Sequence, residues 1–494
     1  MRASFFGDAM HDEKTTAPLC RTGTAVRPRG QAPVHRRAVG APDRPGRTRW
    51  PEIAARRYDA PVMSQATAPP LAIEPIATPF EATVALPGSK SYSNRALLVA
   101  ALARGRSEIT GALWSDDTRY MHRALETLGV RVHADEATRT FVIDGVDGRF
   151  PASEATLEIG NAGTAARFLT AAVALGHGTF VIDGSPAMRK RPIQPLLDGL
   201  RALGVDAESR EGTGCPPVIV RARGMAGGRA RMRGDISSQY FSALLLAAPY
   251  AERGMEIEVE GDLVSAPYIA MTLSTMEAFG VGAEREGDRH FRVPAGQRYE
   301  ARDYPVEPDA SGASYFFAAA AVTGSRVIVP RLGHASVQGD LGLLDVLRRM
   351  GCEVSVEDEE ITVQGPSQLR AVDADFTRMG DVATTLMAIA PFADGPVTVR
   401  GIAQTHFEES DRPVAAATEL RRMGLRVESE WDSVTIHPGM PQPTDVQTYE
   451  DHRIAMSFAV TGLRAPGIRI VDPSCVSKTF PDYFRALGGL AVGA

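Results

Sequence analysis

The sequence predicts an α/β protein of six similar units divided three and three between two lobes, and three observations carry that reading. A helix end closed by a large apolar residue and a glycine, followed by a short strand, recurs at Gly129, Gly204, Gly280, Gly351, Gly424 and Gly488, at spacings of about 64 to 76 residues. That period is too long for a solenoid of short repeats and suits a compact α/β unit; each glycine suits a helix C-cap of positive φ. In phase with this series run six Ala-rich stretches, starting near Asn94, Ala165, Gln239, Ala313, Ala383 and Ile454, apolar nearly all round and so expected to form buried helices. Each is followed by a strand-like run such as TFVID, MEIEVEG, RVIVP, VTVRG or IRIVD.

At 494 residues the chain should hold more than one core. Residues 1–66 are rich in Arg, Pro and Gly and lack apolar periodicity, which predicts a disordered extension outside the native fold. A start codon read too far upstream, with Met63 as the true first residue, is the expected explanation. Scarce serine and the acids Asp8, Asp12 and Glu13 fit an organellar transit peptide poorly, and a basic nucleic-acid tail is a third reading. The alternating run Thr83-Val84-Ala85-Leu86 then predicts a strand leading into the first buried helix.

Composition narrows the function classes. The net charge of −6 argues against a nucleic-acid partner, and no apolar run approaches the length that spans a bilayer. Cys20, Cys215, Cys352 and Cys475 lie far apart without CxxC spacing, so neither a disulfide framework nor a zinc site is expected, and a reducing cytoplasm fits. Only Lys14, Lys90, Lys190 and Lys478 are lysines among 54 basic residues. A compact titratable charge is not interchangeable with a guanidinium, so Lys90 and Lys478 are site candidates.

Unusual polar chemistry gathers just before the six buried helices, as SKSYSNR, GNAGTAAR, GDISSQY, VEPDASGAS, MGDVATT and TYEDHR. Helix N-termini present unpaired N–H groups and partial positive charge. Six of them sharing one cleft between lobes would select a ligand with several negative charges. Taken singly, these residues have simpler readings: Asp381 as an N-cap, Glu409 and Asp411 as surface charges, His452 as a core histidine, and the serines of SSQ as caps. Phe316 and Phe317 read as core.

Together, PGSKSYSNRALL, GNAGTAAR, KRPIQPLLDGL, SSQYFSALLLAAP, ESDR, YEDHRIAM and SKTFPDYF resemble the 5-enolpyruvylshikimate-3-phosphate synthase family, the 3-phosphoshikimate 1-carboxyvinyltransferases, from about Leu71 to the C-terminus. The resemblance implies a two-lobed, inside-out α/β barrel of six βαβαββ-type repeats. The N-terminal lobe would be 87–305, the C-terminal lobe 71–86 plus 306–494, and the helix N-termini would face the cleft between them. It implies transfer of the enolpyruvyl group of phosphoenolpyruvate to the 5-hydroxyl of shikimate 3-phosphate with release of phosphate, in chorismate and aromatic amino acid biosynthesis, and a glyphosate target. No cofactor or metal, and a cytoplasmic monomer, are expected.

Carried over residue by residue, the resemblance gives shikimate 3-phosphate to Lys90, Ser91, Arg95, Ser237, Ser238, Gln239, Ser265, Tyr268, Asp381, Gln404 and Glu408. It gives phosphoenolpyruvate to Lys90, Gly163, Thr164, Arg191, Gln239, Arg412, Arg453 and Lys478. Asp381 becomes the proton acceptor and Glu409 the proton donor, with Lys90, Lys478 and His452 beside them. The sequence departs from the family where Glu408 replaces an expected lysine and Gln404 an asparagine; His406 is the cation expected to compensate. Gly163 suggests a glyphosate-sensitive type, although Phe168 stands where proline is usual. Two other readings are the sister enzyme acting on UDP-N-acetylglucosamine, whose site cysteine has no counterpart here, and a ligand-binding relative without catalysis.

Overall fold

A computed structural model of the protein describes residues 69–490; the expectations for 1–66, including a start at Met63, lie outside the described residues. Six sheets share one plan. In the first, Arg104–Thr110 pairs in parallel with Asp303–Pro305 and antiparallel with Thr140–Val146, which pairs antiparallel with Arg131–Asp135. Four more four-stranded sheets repeat that order of one parallel and two antiparallel neighbours, and the sixth has three strands. Strand Glu81–Thr83 joins the sheet of Arg326–Pro330, and Leu71–Ala72 pairs with Ile468–Ile470, so the start of the described chain completes sheets built from its C-terminal half.

Two hydrophobic clusters result. One runs from Tyr92 to Val306; the other joins Ile73, Phe80, Val84 and Leu86 to residues from Ala310 to Leu490. The chain passes between them twice, side by side: Ser89 N–H donates to Glu307 O at 2.8 Å and Asp309 N–H to Pro87 O at 3.0 Å. The six Ala-rich stretches are the helices Lys90–Leu102, Gly163–Ala172, Ser238–Ala247, Ala310–Thr323, Ala383–Ile389 and His452–Gly462. Nearly every residue in them is buried, as an all-round apolar surface requires. Among the described residues, no helix is long and apolar enough to cross a membrane.

Two sequence expectations need correction. The strand expected through Leu86 ends at Thr83, because the chain must leave the sheet there to reach the first crossing at Pro87, which has no N–H to donate. Five of the six repeat glycines have φ between 80° and 101°, but Gly488 lies inside the helix Tyr483–Gly489 and is not a left-handed cap.

Glycine is demanded instead where strands press on the buried helices. A Cβ at Gly145 would sit 2.1 Å from Ala103 O, and one at Gly365 would sit 2.0 Å from Ala320 O. At Gly488 a Cβ meets nothing within 4 Å. We therefore expect Gly365→Ala to cost about 2 kcal/mol or more through forced backbone displacement, and Gly488→Ala to be neutral or to stabilise by up to about 1 kcal/mol. Thermal unfolding of the two variants checks this; equal melting temperatures would contradict the packing described.

Candidate active site

The main cleft, about 690 Å³ including its mouth, is lined from both hydrophobic halves of the chain. Lys90 and Ser91 open their helix, as do Gly163 and Thr164 theirs, while Ser238 and Gln239 begin a third whose Ser237 cap accepts from Gln239 N–H. Asp381 sits in the turn Gly380–Val382 before the fourth contributing helix, and Arg412 is the first residue of Arg412–Arg422. Ser265, Tyr268, Arg95, Arg191, Gln404, Glu408 and Glu409 complete the expected lining, together with Asp117, Phe168 and Ile236. Arg453, Lys478 and His452 do not line the cleft. The first two ion-pair with residues that do, and His452 lies wholly buried behind.

The node of the site is the Arg412 guanidinium, 2% exposed. Its Nη1 donates to Asp381 Oδ1 at 2.8 Å, Nη2 to Glu409 Oε2 at 2.6 Å, and Nε to Asp451 Oδ2 at 2.9 Å. Arg453 Nη2 takes the other Asp381 oxygen at 2.6 Å. Arg191 donates to Glu408 at 2.8 Å and to Glu409 at 3.4 Å. Lys478 Nζ lies 3.2 Å from Glu409, 3.5 Å from Asp117 and 2.6 Å from Asn161 O, and Asp117 also faces Lys90 at 4.0 Å.

Local backbone serves this geometry. Gly163 has no Cβ because one would lie 2.8 Å from the Nη1 atoms of both Arg167 and Arg191. Ser265 adopts φ 52° and donates its N–H to Thr377 O at 2.8 Å, tying the cleft wall to the other half of the chain. Tyr449 and Glu450, both at φ 56°, turn the chain so that Asp451 caps His452–Gly462 and reaches Arg412. Buried Glu419 secures that turn by accepting from Tyr449 Oη at 2.7 Å and Gln447 N–H at 3.1 Å.

The charges set the protonation states. Burial alone would raise Asp381, but Arg453, Arg412 and Lys90 hold it below the usual carboxylate range. Glu409 is likewise held well below that range, against burial, by Lys478, Arg191, Arg412 and Lys90. Lys478 is raised despite burial by Asp117 and Glu409, so it is protonated at neutral pH. Burial drives His452 well below its ordinary value; its ring is neutral, and among the described residues neither nitrogen has a hydrogen-bond partner, Asp451 Oδ1 lying 3.7 Å from Nδ1. Among the described residues Arg95 donates only to neutral acceptors, Thr272, Ser242 and the carbonyls of Ser91 and Tyr268, and burial pushes it down to about 10. Its positive charge thus faces the cleft uncompensated.

One expectation fails. His406 does not supply a cation to the cleft: its nitrogens engage Asp411 at 2.7 Å and Trp431 O at 2.8 Å, and its ring stacks on Trp431 at 4.0 Å. The cation facing Glu408 is Arg191. Sequence reasoning also passed over Asp117, Asp340 and the pairing of Asp451. Asp117 looks like an ordinary acid in a helix's first turn, and Asp451 stood inside a quoted motif where its partner, 39 positions away, was invisible. Among the described residues, no group of three or more His, Cys, Asp and Glu is placed to hold a metal ion.

Comparison with known proteins shows the family. The family model described as EPSP synthase (3-phosphoshikimate 1-carboxyvinyltransferase) matches residues 75–487. The 3-phosphoshikimate 1-carboxyvinyltransferase of Nostoc punctiforme is 48% identical over 406 residues, covering 82% of this chain and 95% of its own. The chloroplastic enzyme of that name from Brassica napus is 46% identical over 450 residues, covering 87% of each. Among solved structures, EPSP synthase from Acinetobacter baumannii superposes with a TM-score of 0.73 at 26% identity, over 85% of this chain and 98% of that one. The chain belongs to the EPSP synthase family, the 3-phosphoshikimate 1-carboxyvinyltransferases.

Proposed function

We propose that the cleft divides its cations between two anionic substrates and its two ionised carboxylates between two proton transfers. The reaction is that of the family: the enolpyruvyl group of phosphoenolpyruvate passes to the 5-hydroxyl of shikimate 3-phosphate through a tetrahedral intermediate that loses phosphate. The observation that carries the assignment is the Arg412 node, which joins Asp381 and Glu409 through one guanidinium within a cleft lined by further cations and helix starts.

Shikimate 3-phosphate falls to Lys90, Ser91, Arg95, Ser237, Ser238, Ser265, Tyr268 and Gln404, where the Arg95 charge has no internal anion. Phosphoenolpyruvate falls to Lys90, Gly163, Thr164, Gln239, Arg191, Arg412, Arg453 and Lys478; the planar forks of the arginines suit bidentate grips on carboxylate and phosphate, and Arg453 and Lys478 act from behind Asp381 and Glu409. Asp381 accepts the 5-hydroxyl proton. Glu409 passes a proton to the methylene carbon, with Lys478 at 3.2 Å as its source. A carboxyl held so low is a weak resting reservoir, but an anionic substrate arriving beside it raises its proton affinity. His452, neutral and buried, shapes the site without donating a proton. Glu408 acts through Arg191, occupying a fork that phosphoenolpyruvate must reclaim.

The architecture fits the same reading: two lobes, 87–305 and 71–86 plus 306–494, each of three βαβαββ-type units, with one chain completing the site as a cytoplasmic monomer. Its support is that each hydrophobic cluster contributes cleft residues and that the two crossings lie side by side.

Phosphate release measured with both substrates tests the assignment. Wild type should turn over only when both are present, and Asp381→Ala should lose about 10²- to 10⁴-fold in kcat; turnover of UDP-N-acetylglucosamine in place of shikimate 3-phosphate would overturn the substrate assignment. Glu408→Gln releases Arg191 and should lower KM for phosphoenolpyruvate by about three- to tenfold. A change confined to KM for shikimate 3-phosphate would show that Glu408 touches that substrate instead.

A further inference from the structure

One hydroxyl stands between two carboxylates in the wall of the cleft. Tyr268 Oη lies 2.8 Å from Asp381 Oδ2 and 3.2 Å from Asp340 Oδ2. A phenol has a single hydrogen, so it serves only one of the two at a time. Asp340 hangs from the turn Gly339–Gly342, behind the cleft lining, and is 4% exposed. Its Oδ2 also accepts from the Ser311 hydroxyl, and its Oδ1 has no partner.

The groups facing Asp340 come from four elements: Tyr268 from Pro267–Ala278, Asp309 and Ser311 from the start of Ala310–Thr323, Asp381 from its turn, and Arg453 from His452–Gly462. Arg453 is committed to Asp381, and among the described residues no ion pair reaches Asp340. The two acids therefore differ sharply in basicity. Arginines hold Asp381 low, whereas burial, then the Asp381 charge, pushes Asp340 up to about 6 against the pull of Arg453 and Ser311. A base as weak as Asp381 takes a proton readily only if the proton can move on.

We propose that Asp340, reached through Tyr268, holds the proton removed from the substrate 5-hydroxyl during the addition step. The inference rests on the reading of Asp381 as the first acceptor. As the 5-oxygen bonds to the enolpyruvyl carbon, its O–H bond breaks and the proton goes to Asp381. Once protonated, Asp381 is a donor, so the Tyr268 hydrogen turns to Asp340. Asp381 then passes its proton to the Tyr268 oxygen while the Tyr268 hydrogen passes to Asp340. Tyr268 stays neutral, one negative charge moves from Asp340 to Asp381 beside its arginines, and in the elimination step the reverse shift returns the proton to Asp381, which passes it to the departing phosphate so that both carboxylates are ionised for the next turnover. Asp340 touches no substrate; it is a relay residue acting through two others.

The test is the pH dependence of kcat for wild type, Asp340→Asn, Tyr268→Phe and the double variant, with shikimate 3-phosphate affinity by calorimetry. Asp340 must be ionised at rest to receive the proton, so wild-type kcat should fall as pH drops through about 6. Asp340→Asn should lose that acid limb and about tenfold or more in kcat at pH 7.5, with shikimate 3-phosphate affinity within about twofold of wild type. Tyr268→Phe should lose the same limb, and the double variant should be no worse than either single one. Should Asp340→Asn fail to fold, the Tyr268→Phe profile decides. An acid limb that survives in either single variant, or kcat and affinity falling together in Asp340→Asn, would overturn the relay. Asp381→Asn separates the two readings: if it still turns over, Asp381 is not the acceptor and both fall; if it is dead while Asp340→Asn keeps its limb, only the relay falls.

Discussion

A guanidinium sealed from water and held by three carboxylates is the constraint on which this molecule depends. Arg412 cannot lose its charge, and a buried charge is tolerated only when its donors are matched. Asp381, Glu409 and Asp451 supply the match, and each reaches it from a different segment of the C-terminal half. The left-handed turn at Tyr449 and Glu450 exists to deliver Asp451, and Glu419, two helical turns beyond Arg412, pins that turn in place. Conformations of that kind persist only where their surroundings over-determine them.

The same network explains how a cleft so rich in cations remains stable before any anion enters. Arg191, Lys478, Arg453 and Arg412 are provisionally paired with the site's own acids, whereas Arg95 is satisfied by neutral acceptors. On the proposed assignment, substrate anions exchange these internal partners for new ones in a low-dielectric pocket, where charge–charge terms are large. The exchange leaves Asp381 and Glu409 less neutralised at the moment when proton affinity is needed. Two carboxylates in one cleft thereby acquire roles set by their neighbours and not by residue type.

What was legible in the sequence was whatever repeats locally. Helix ends at Gly129 through Gly424 announced themselves by period, and the buried helices by unbroken apolar composition; Gly488 broke the pattern because it lies inside a helix and not at its cap. Much of the cleft's lining could be named because its motifs, most of them at helix starts, resemble a known family. Pairings across the chain were illegible. Nothing around Glu408 shows that its partner is Arg191, 217 positions earlier, and nothing around Asp340 shows that Tyr268 links it to Asp381. His406 misled for the same reason: its imidazole was visible, but not the Trp431 carbonyl and Asp411 that claim its nitrogens.

The most direct measurement is the kinetics of Arg412→Lys, which keeps the charge but cannot hold three carboxylates in the same fork. If Arg412 is the node between the enolpyruvyl donor and both proton-transfer acids, kcat/KM for phosphoenolpyruvate should fall by about 10³-fold or more, while shikimate 3-phosphate binds by calorimetry within about threefold of wild type. A folded variant that loses both substrates equally, or keeps its phosphoenolpyruvate kinetics, would contradict the account.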